Sequence, residues 1–171
     1  MAVAYSLIAS NTVSSTVSSV TFSSIAGTYT DLLLSISARS DFAGVWADIR
    51  LQFNGSGGTA YVTRMVYGAG SSASAAVGGA GAETLWAHIP ANTATSNTFG
   101  NTLLYIPNYT SGNYKTVLSD SVAETNVTST ITVLAGSMWS NTAAITSIRC
   151  ALNAGDFMPY STFYLYGILK Y

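Results

Sequence analysis

Alternation of apolar and polar side chains is the feature that most constrains the fold of this chain. Residues 46–53 read WADIRLQF, and one side of this segment is apolar, formed by Ala47, Ile49, Leu51 and Phe53. A period of two is typical of a β-strand with one buried face. Straight-chain helix formers such as Glu, Lys and Gln are scarce, whereas Ser, Thr, Val, Ile, Tyr and Phe dominate. The sequence therefore predicts strands and no amphipathic helix.

Segments of this kind recur along the whole chain. We expect strands near residues 4–9, 16–22, 32–38, 46–53, 59–67, 84–89, 99–105, 114–123, 130–138, 143–151 and 160–170. About ten short strands separated by turn clusters favour an all-β fold, an antiparallel, jelly-roll-like β-sandwich in a single domain over residues 1–171. We expect Ile49, Leu51, Phe53, Leu103 and Phe163 to fill its core.

Two connections carry Gly-rich sequence. NGSGG, residues 54–58, is typical of a tight turn, so residues 46–67 are predicted to form a hairpin. GAGSSASAAVGGAGAE, residues 68–83, has no side chains able to form a core, and we interpret it as a long loop of the sandwich, either mobile or ordered by an interface.

Charge is too scarce for an ordinary exposed surface. The chain has six Lys and Arg and seven Asp and Glu among 171 residues, or 8% charged, and its polar side consists mainly of 24 Ser and 21 Thr. A solitary soluble protein usually carries about a quarter charged residues. We therefore expect part of this surface to be covered by another protein.

The same counts exclude several partners and locations. The six basic residues are scattered, which disfavours nucleic acid binding. No apolar run reaches the ~18 residues of a membrane-spanning helix, so we expect no membrane partner. The N-terminal MAVAYSLIAS has neither a basic region nor a long apolar core, so we expect synthesis in the cytoplasm.

Residues able to carry chemistry are few. His88 is the single histidine, and no Gly-x-Ser-x-Gly nucleophile motif accompanies it. Asp120 and Glu124 would lie roughly 13 Å apart on one extended strand, too far for a glycosidase pair. Cys150 stands alone, which excludes an intramolecular disulfide. We expect no catalytic residue, no cofactor and no metal site, and hence no enzyme.

Aromatic residues are the candidates for binding. Three Trp and eleven Tyr suit a protein interface, and they also suit stacking on sugar rings. We expect subunit contacts at Tyr5, Trp86, His88, Tyr109, Tyr114 and Tyr160.

Five segments together resemble small β-rich virion proteins of tailed bacteriophages, found alone or as modules of tail fibres. The segments are VTFSSIAGTYTDLLLSISARSD, IRLQFNG, NTFGNTLLYIPNYT, WSNTAAITSIRC and YSTFYLYGIL, which span most of residues 20–169. This resemblance implies a β-sandwich that acts as a symmetric homo-oligomer, often a homotrimer, within a virion.

Two locations in the virion follow from the resemblance. The short chain has no coiled-coil heptads or fibre shaft, which favours a capsid decoration or cement protein that binds the major capsid protein between capsomers. The alternative is a tail or tail-fibre component that binds a host-surface glycan.

Overall fold

Twelve strands form the fold of residues 3–81, 83–126 and 130–170, the part of the chain that the computed structural model describes. They are β1 (Val3–Thr12), β2 (Ser19–Phe22), β3 (Asp31–Ala38), β4 (Trp46–Phe53), β5 (Tyr61–Ala69), β6 (Ser72–Gly81), β7 (Thr84–Pro90), β8 (Gly100–Ile106), β9 (Lys115–Ala123), β10 (Ile131–Trp139), β11 (Ile148–Leu152) and β12 (Thr162–Lys170). The described residues contain no helix, and thus none that could span a membrane.

The strands form two antiparallel sheets packed as a sandwich. The larger sheet has the order β1-β12-β3-β8-β9-β10-β5-β6, and the smaller has the order β2-β11-β4-β7. Without β5, β6, β9 and β10, the remaining strands have the order of an eight-stranded jelly roll. The other four extend the larger sheet beyond β8, and β7 packs against β9 and β10. The all-β, jelly-roll-like prediction is confirmed.

The core lies between the two sheets and is rich in large aromatic side chains. Phe53, Tyr61 and Trp139 pack together, with the Phe53 and Trp139 ring centroids 5.5 Å apart. The Tyr61 hydroxyl accepts the backbone N–H of Phe53 at 2.8 Å. Burying a large side chain completely contributes about 1.5–3 kcal/mol, so each of these three rings stabilises the fold on that scale. Ile49, Leu51, Phe53 and Phe163 are buried as predicted.

The predicted hairpin of residues 46–67 is wrong. β4 pairs with β11 and β7 in the smaller sheet, whereas β5 pairs with β10 and β6 in the larger sheet. Asn54, Gly55 and Gly58 have positive φ angles, which turn the chain from one sheet into the other. Alternation identified both strands but carried no information about their partners.

The predicted loop of residues 68–83 is also wrong within the described residues. β5 continues to Ala69, Gly70 turns the chain with a φ of 56°, and Ser72–Gly81 forms β6. β6 lies at the sheet edge and pairs with β5 alone. Because an edge strand is held by its backbone ladder, small side chains suffice there. Residue 82 lies outside the described residues.

Candidate functional site

Large apolar side chains cover the side of the eight-stranded sheet that faces away from the core, which we call the outer face. Its exposed members come from seven strands: Tyr5, Leu7, Val66, Val77, Leu103, Leu118, Val122, Leu134 and Tyr164. Val77 is 65% exposed and Val66 54% exposed. Contiguous apolar patches of this kind mark interaction surfaces on soluble proteins.

The strand register places the centre of this surface on β10. Leu134 pairs with Asp120 of β9 on one side and with Val66 of β5 on the other. Two residues further along, Gly136 pairs with Leu118 and Arg64. Residues opposite one another in a ladder point to the same side of the sheet, so these side chains form one continuous surface.

Two open depressions lie in the outer face. One, of about 520 Å³, is lined by Val66, Ala75 and Leu134 among others. The other, of about 530 Å³, is lined by residues that include Leu118 and Met138. Their width and lack of enclosure suit protruding side chains of a protein partner better than a small molecule.

β8 presents the opposite face to the one that the sequence predicts. Leu103, expected in the core, is 44% exposed on the outer face, and its neighbour Leu104 is fully buried. β9 follows the same arrangement, because Ser119 and Ser121 point inward while Leu118 points outward. On β9 the larger apolar residue Leu118 lies on one side of the strand, and the hydroxyl residues Ser119 and Ser121 lie on the other. This separation was the sequence signal that could have predicted the surface.

The outward side of the four-stranded sheet, which we call the polar face, has a different composition. Gln52, Thr21 and Arg149 lie on neighbouring strands there, and Arg149 Nη1 lies 3.1 Å from Glu83 Oε1. Arg50 Nη2 also lies 3.3 Å from Asp48 Oδ2. This surface carries ion pairs, the Gln52 amide, the Thr21 hydroxyl and, on β4, the half-buried ring of Trp46.

His88 lies beside the polar face and is about nine-tenths buried. Its Nδ1 is 2.8 Å from Asp48 Oδ1, although the ring N–H is not aligned for a hydrogen bond. The Trp46 ring packs edge-on at 6.1 Å. Catalysis of the Ser-His-Asp kind also requires a hydroxyl at the other ring nitrogen. In the described structure, Ser121 Oγ instead accepts the backbone N–H of His88 at 3.3 Å.

Of the six residues predicted at subunit contacts, three are exposed, two are buried and one has a side chain outside the described residues. Tyr5, Tyr114 and Tyr160 are exposed, and their role in contacts stays a prediction. Tyr109 is fully buried and its hydroxyl donates to the Ala26 carbonyl, so it cannot be the exposed contact that we expected.

Burial also removes His88 from the predicted contacts, because its ring packs under Trp46. Trp86 lies in β7, but its side chain lies outside the described residues.

A smaller cleft lies among the loops that follow β3, β7 and β11. It has a volume of about 240 Å³ and is lined by Asn92, Ser96, Asn97, Phe99 and Tyr160 with three other residues. Tyr160 is 79% exposed and has a φ of 71°, a left-handed conformation that bulky residues rarely adopt. Below it, buried Arg39 donates to the carbonyls of Ala94, Thr95 and Thr98 and fixes the loop.

The buried titratable groups Cys150 and Lys115 lie in the interior of the fold and line neither the two depressions of the outer face nor the cleft at Tyr160. Burial raises the pKa of the Cys150 thiol from 9.0 to about 12, so it stays protonated and weakly nucleophilic. Lys115 is buried, which lowers its pKa, and its Nζ donates to the carbonyls of Ser111, Asn113 and Thr142. Among the described residues, no three His, Cys, Asp or Glu side chains are grouped as a metal site would require.

Comparison of the chain with protein-family models, with curated proteins and with solved structures gave no match. The most prominent feature of the described surface is the outer face with its exposed apolar side chains.

Proposed function

We propose that this chain is a structural protein of a tailed-bacteriophage virion, acting as a capsid decoration or cement protein that binds between capsomers and stabilises the head. The observation that carries the proposal is the outer face of the eight-stranded sheet, on which large apolar side chains are exposed on seven of the eight strands. The resemblance of five sequence segments to phage virion proteins supplies the biological setting.

Adhesion explains the composition of the outer face. Covering apolar side chains removes them from water at about 25 cal/mol per Å². The face between β8 and β6 carries few ionised groups, chiefly Arg64 and Asp120, so little charge must be desolvated when a partner binds. A decoration protein needs this property because its function is to hold neighbouring shell subunits together.

The strand order supports the proposal by analogy. Jelly-roll sandwiches occur in viral capsid proteins as well as in lectins and cupins. Fold alone does not assign function. The extension by β5, β6, β9 and β10 is the more specific feature, because it widens one sheet and carries five of the nine exposed apolar residues named for the outer face.

The experiment is to purify source virions by density gradient and quantify this chain by mass spectrometry. We expect a fixed stoichiometry relative to the major capsid protein, retained on heads that lack tails. Absence of the chain from purified particles would contradict the proposal, and presence only with tails would contradict the decoration assignment.

Rebinding to depleted heads would locate the contact. Tyr5→Gln with Leu7→Gln should abolish rebinding, because both exposed side chains lie on the outer face at β1. Thr21→Gln, on the polar face, is the matched control and should rebind like the unmodified chain. Equal rebinding by both variants would remove the outer face from the proposal.

A second candidate is a tail or tail-fibre component that binds a host-surface glycan, and the cleft at Tyr160 favours it. The cleft combines an exposed aromatic ring with amide and hydroxyl side chains, which suits a sugar ring and its hydroxyl groups. A glycan-array signal that Tyr160→Ala abolishes would support this candidate. A silent array with folded protein would contradict it.

A further inference from the structure

We propose that a second copy of this chain covers the outer face, packed sheet against sheet about a twofold axis that crosses β10 between Leu134 and Gly136. This inference rests on the proposed function: the second copy covers the part of the outer face around β10, and the part at β1, with Tyr5 and Leu7, stays open to the shell. The resemblance to phage proteins implies a trimer instead, so the two arrangements are experimentally distinct.

Charge placement carries the inference. Arg64 on β5 and Asp120 on β9 are both exposed, have opposite charge and lie on either side of β10. They sit two strands apart and are offset by two residues, so their Cα atoms are about 12 Å apart for ~4.8 Å strand spacing and ~3.4 Å rise. In the described structure the two do not form an ion pair within one copy, and Arg64 Nη1 donates to the carbonyls of Thr63 and Gly78.

Twofold symmetry converts these two charges into two ion pairs. When identical faces stack, the axis lies in the interface and exchanges positions on either side of it. The axis must be the perpendicular bisector, in the interface plane, of the line from Arg64 to Asp120. Arg64 of each copy then lies opposite Asp120 of the other copy. The midpoint of that line falls on β10 between Leu134 and Gly136.

The same axis pairs apolar side chains with themselves. Leu118 pairs with Gly136 in the ladder, and Val66 pairs with Leu134, so these two residues occupy the other corners of the rectangle formed with Arg64 and Asp120. In an idealised flat sheet, both lie within about 2 Å of the axis. Leu118 therefore meets Leu118 of the second copy and Val66 meets its equivalent, which surrounds the ion pairs with apolar contacts.

The available area fits a weak but specific dimer. Eight strands at ~4.8 Å spacing and about seven residues of ~3.3 Å give a face of roughly 34 by 23 Å. The axis makes the two sheets cross at roughly 70°, and it lies off centre because β10 is the sixth of the eight strands, so about 440 Å² of projected face overlaps per copy. Stable interfaces begin near 600 Å² per partner, so this pair falls in the range of weak, transient contacts. We expect dissociation in the micromolar range.

Sedimentation equilibrium of the purified chain and of charge variants tests this arrangement. The unmodified chain should form a dimer of about twice 17.8 kDa. Arg64→Glu and Asp120→Arg should each raise the dissociation constant at least tenfold, because each places like charges opposite one another twice. The double variant Arg64→Glu/Asp120→Arg should return to within about threefold of the unmodified chain, because it restores both pairs in reverse.

Controls separate this result from general effects of charge or folding. Thr21→Glu changes charge on the polar face and should leave dimerisation unchanged, and circular dichroism should show that every variant folds. A monomer, a trimer, or a double variant as weak as the single ones would each overturn the twofold arrangement. The virion proposal would stand or fall separately, on the gradient-purified particles.

Discussion

The two outward surfaces of the sandwich have the same backbone structure and opposite chemistry. The polar face presents Asp48, Arg50 and Arg149 in ion pairs, whereas the outer face presents leucine, valine and tyrosine. Both are formed by strands with one side in the core, so fold alone does not require the difference. A surface that stays in water has the first composition, and a surface that another protein covers has the second.

The largest effect that we expect is a difference in the free energy of unfolding between substitutions of two neighbouring leucines in β8. Leu104→Ala empties a buried site in the core and should lower the free energy of unfolding by about 2–5 kcal/mol. Leu103→Ala, one residue earlier and 44% exposed, should cost the isolated chain less than about 1 kcal/mol. Urea unfolding at low protein concentration measures both. Equal losses would mean that Leu103 is a core residue and that the outer face is misassigned.

The next effect concerns association. Leu118→Gln with Leu134→Gln should raise the dimer dissociation constant by about a hundredfold, since it places two amides among the central apolar contacts. The converse change, Thr21→Leu with Gln52→Leu, makes the polar face more apolar and should create no comparable dimer. Analytical ultracentrifugation of both variants compares them directly. Strong association through the altered polar face would show that any apolar surface of this fold suffices.

A smaller effect comes from the inward side of the four-stranded sheet. The pKa of the Cys150 thiol rises from 9.0 to about 12 because the thiol is fully buried. Below pH 9.0 both folded and unfolded thiols are protonated and this stabilisation is complete. Between pH 9.0 and about 12 only the unfolded thiol ionises, so the free energy of unfolding should fall by about 1.4 kcal/mol per pH unit from this group.

Cys150→Ala isolates that contribution. Burial also raises the pKa values of Tyr61 and Tyr109, and both remain in the variant. The variant should therefore lose stability less steeply than the unmodified chain in urea titrations from pH 8 to 11. Parallel slopes would contradict the assignment of the loss to the thiol.

The smallest effect should come from the exposed ions of the polar face. Glu83→Gln removes the partner of Arg149, and both side chains are about a third exposed. We expect a loss below about 1 kcal/mol at low salt, which disappears near 1 M salt because of screening. A larger, salt-independent loss would mean that these charges stabilise the fold instead of keeping one surface hydrated.

The sequence predicted strands better than their relations. Alternation located β4 and its buried residues Ile49, Leu51 and Phe53, because a half-buried strand requires that period. It did not identify the strands that pair with β4. One of them, β11, lies about a hundred residues further along the chain. It also treated Leu103 as a core residue, because a covered apolar surface and a core require the same side chains.

Composition gave a wrong prediction where side-chain packing matters least. β6 consists of Gly, Ala, Ser and a single Val, so side-chain propensity gave no strand signal. Its structure depends on the ladder with β5. In the opposite direction, Tyr109 has the polar tip of an interface residue but is fully buried, with its hydroxyl bonded to a backbone carbonyl.

Electron cryomicroscopy of the assembled chain, either on source virions or as the purified oligomer, tests the central claim most directly by showing which surface is covered. We predict density against the outer face, with Leu118, Leu134 and Val66 in contact with another protein chain and the polar face open to solvent. An assembly in which the outer face is open to solvent and the polar face is covered would contradict the account.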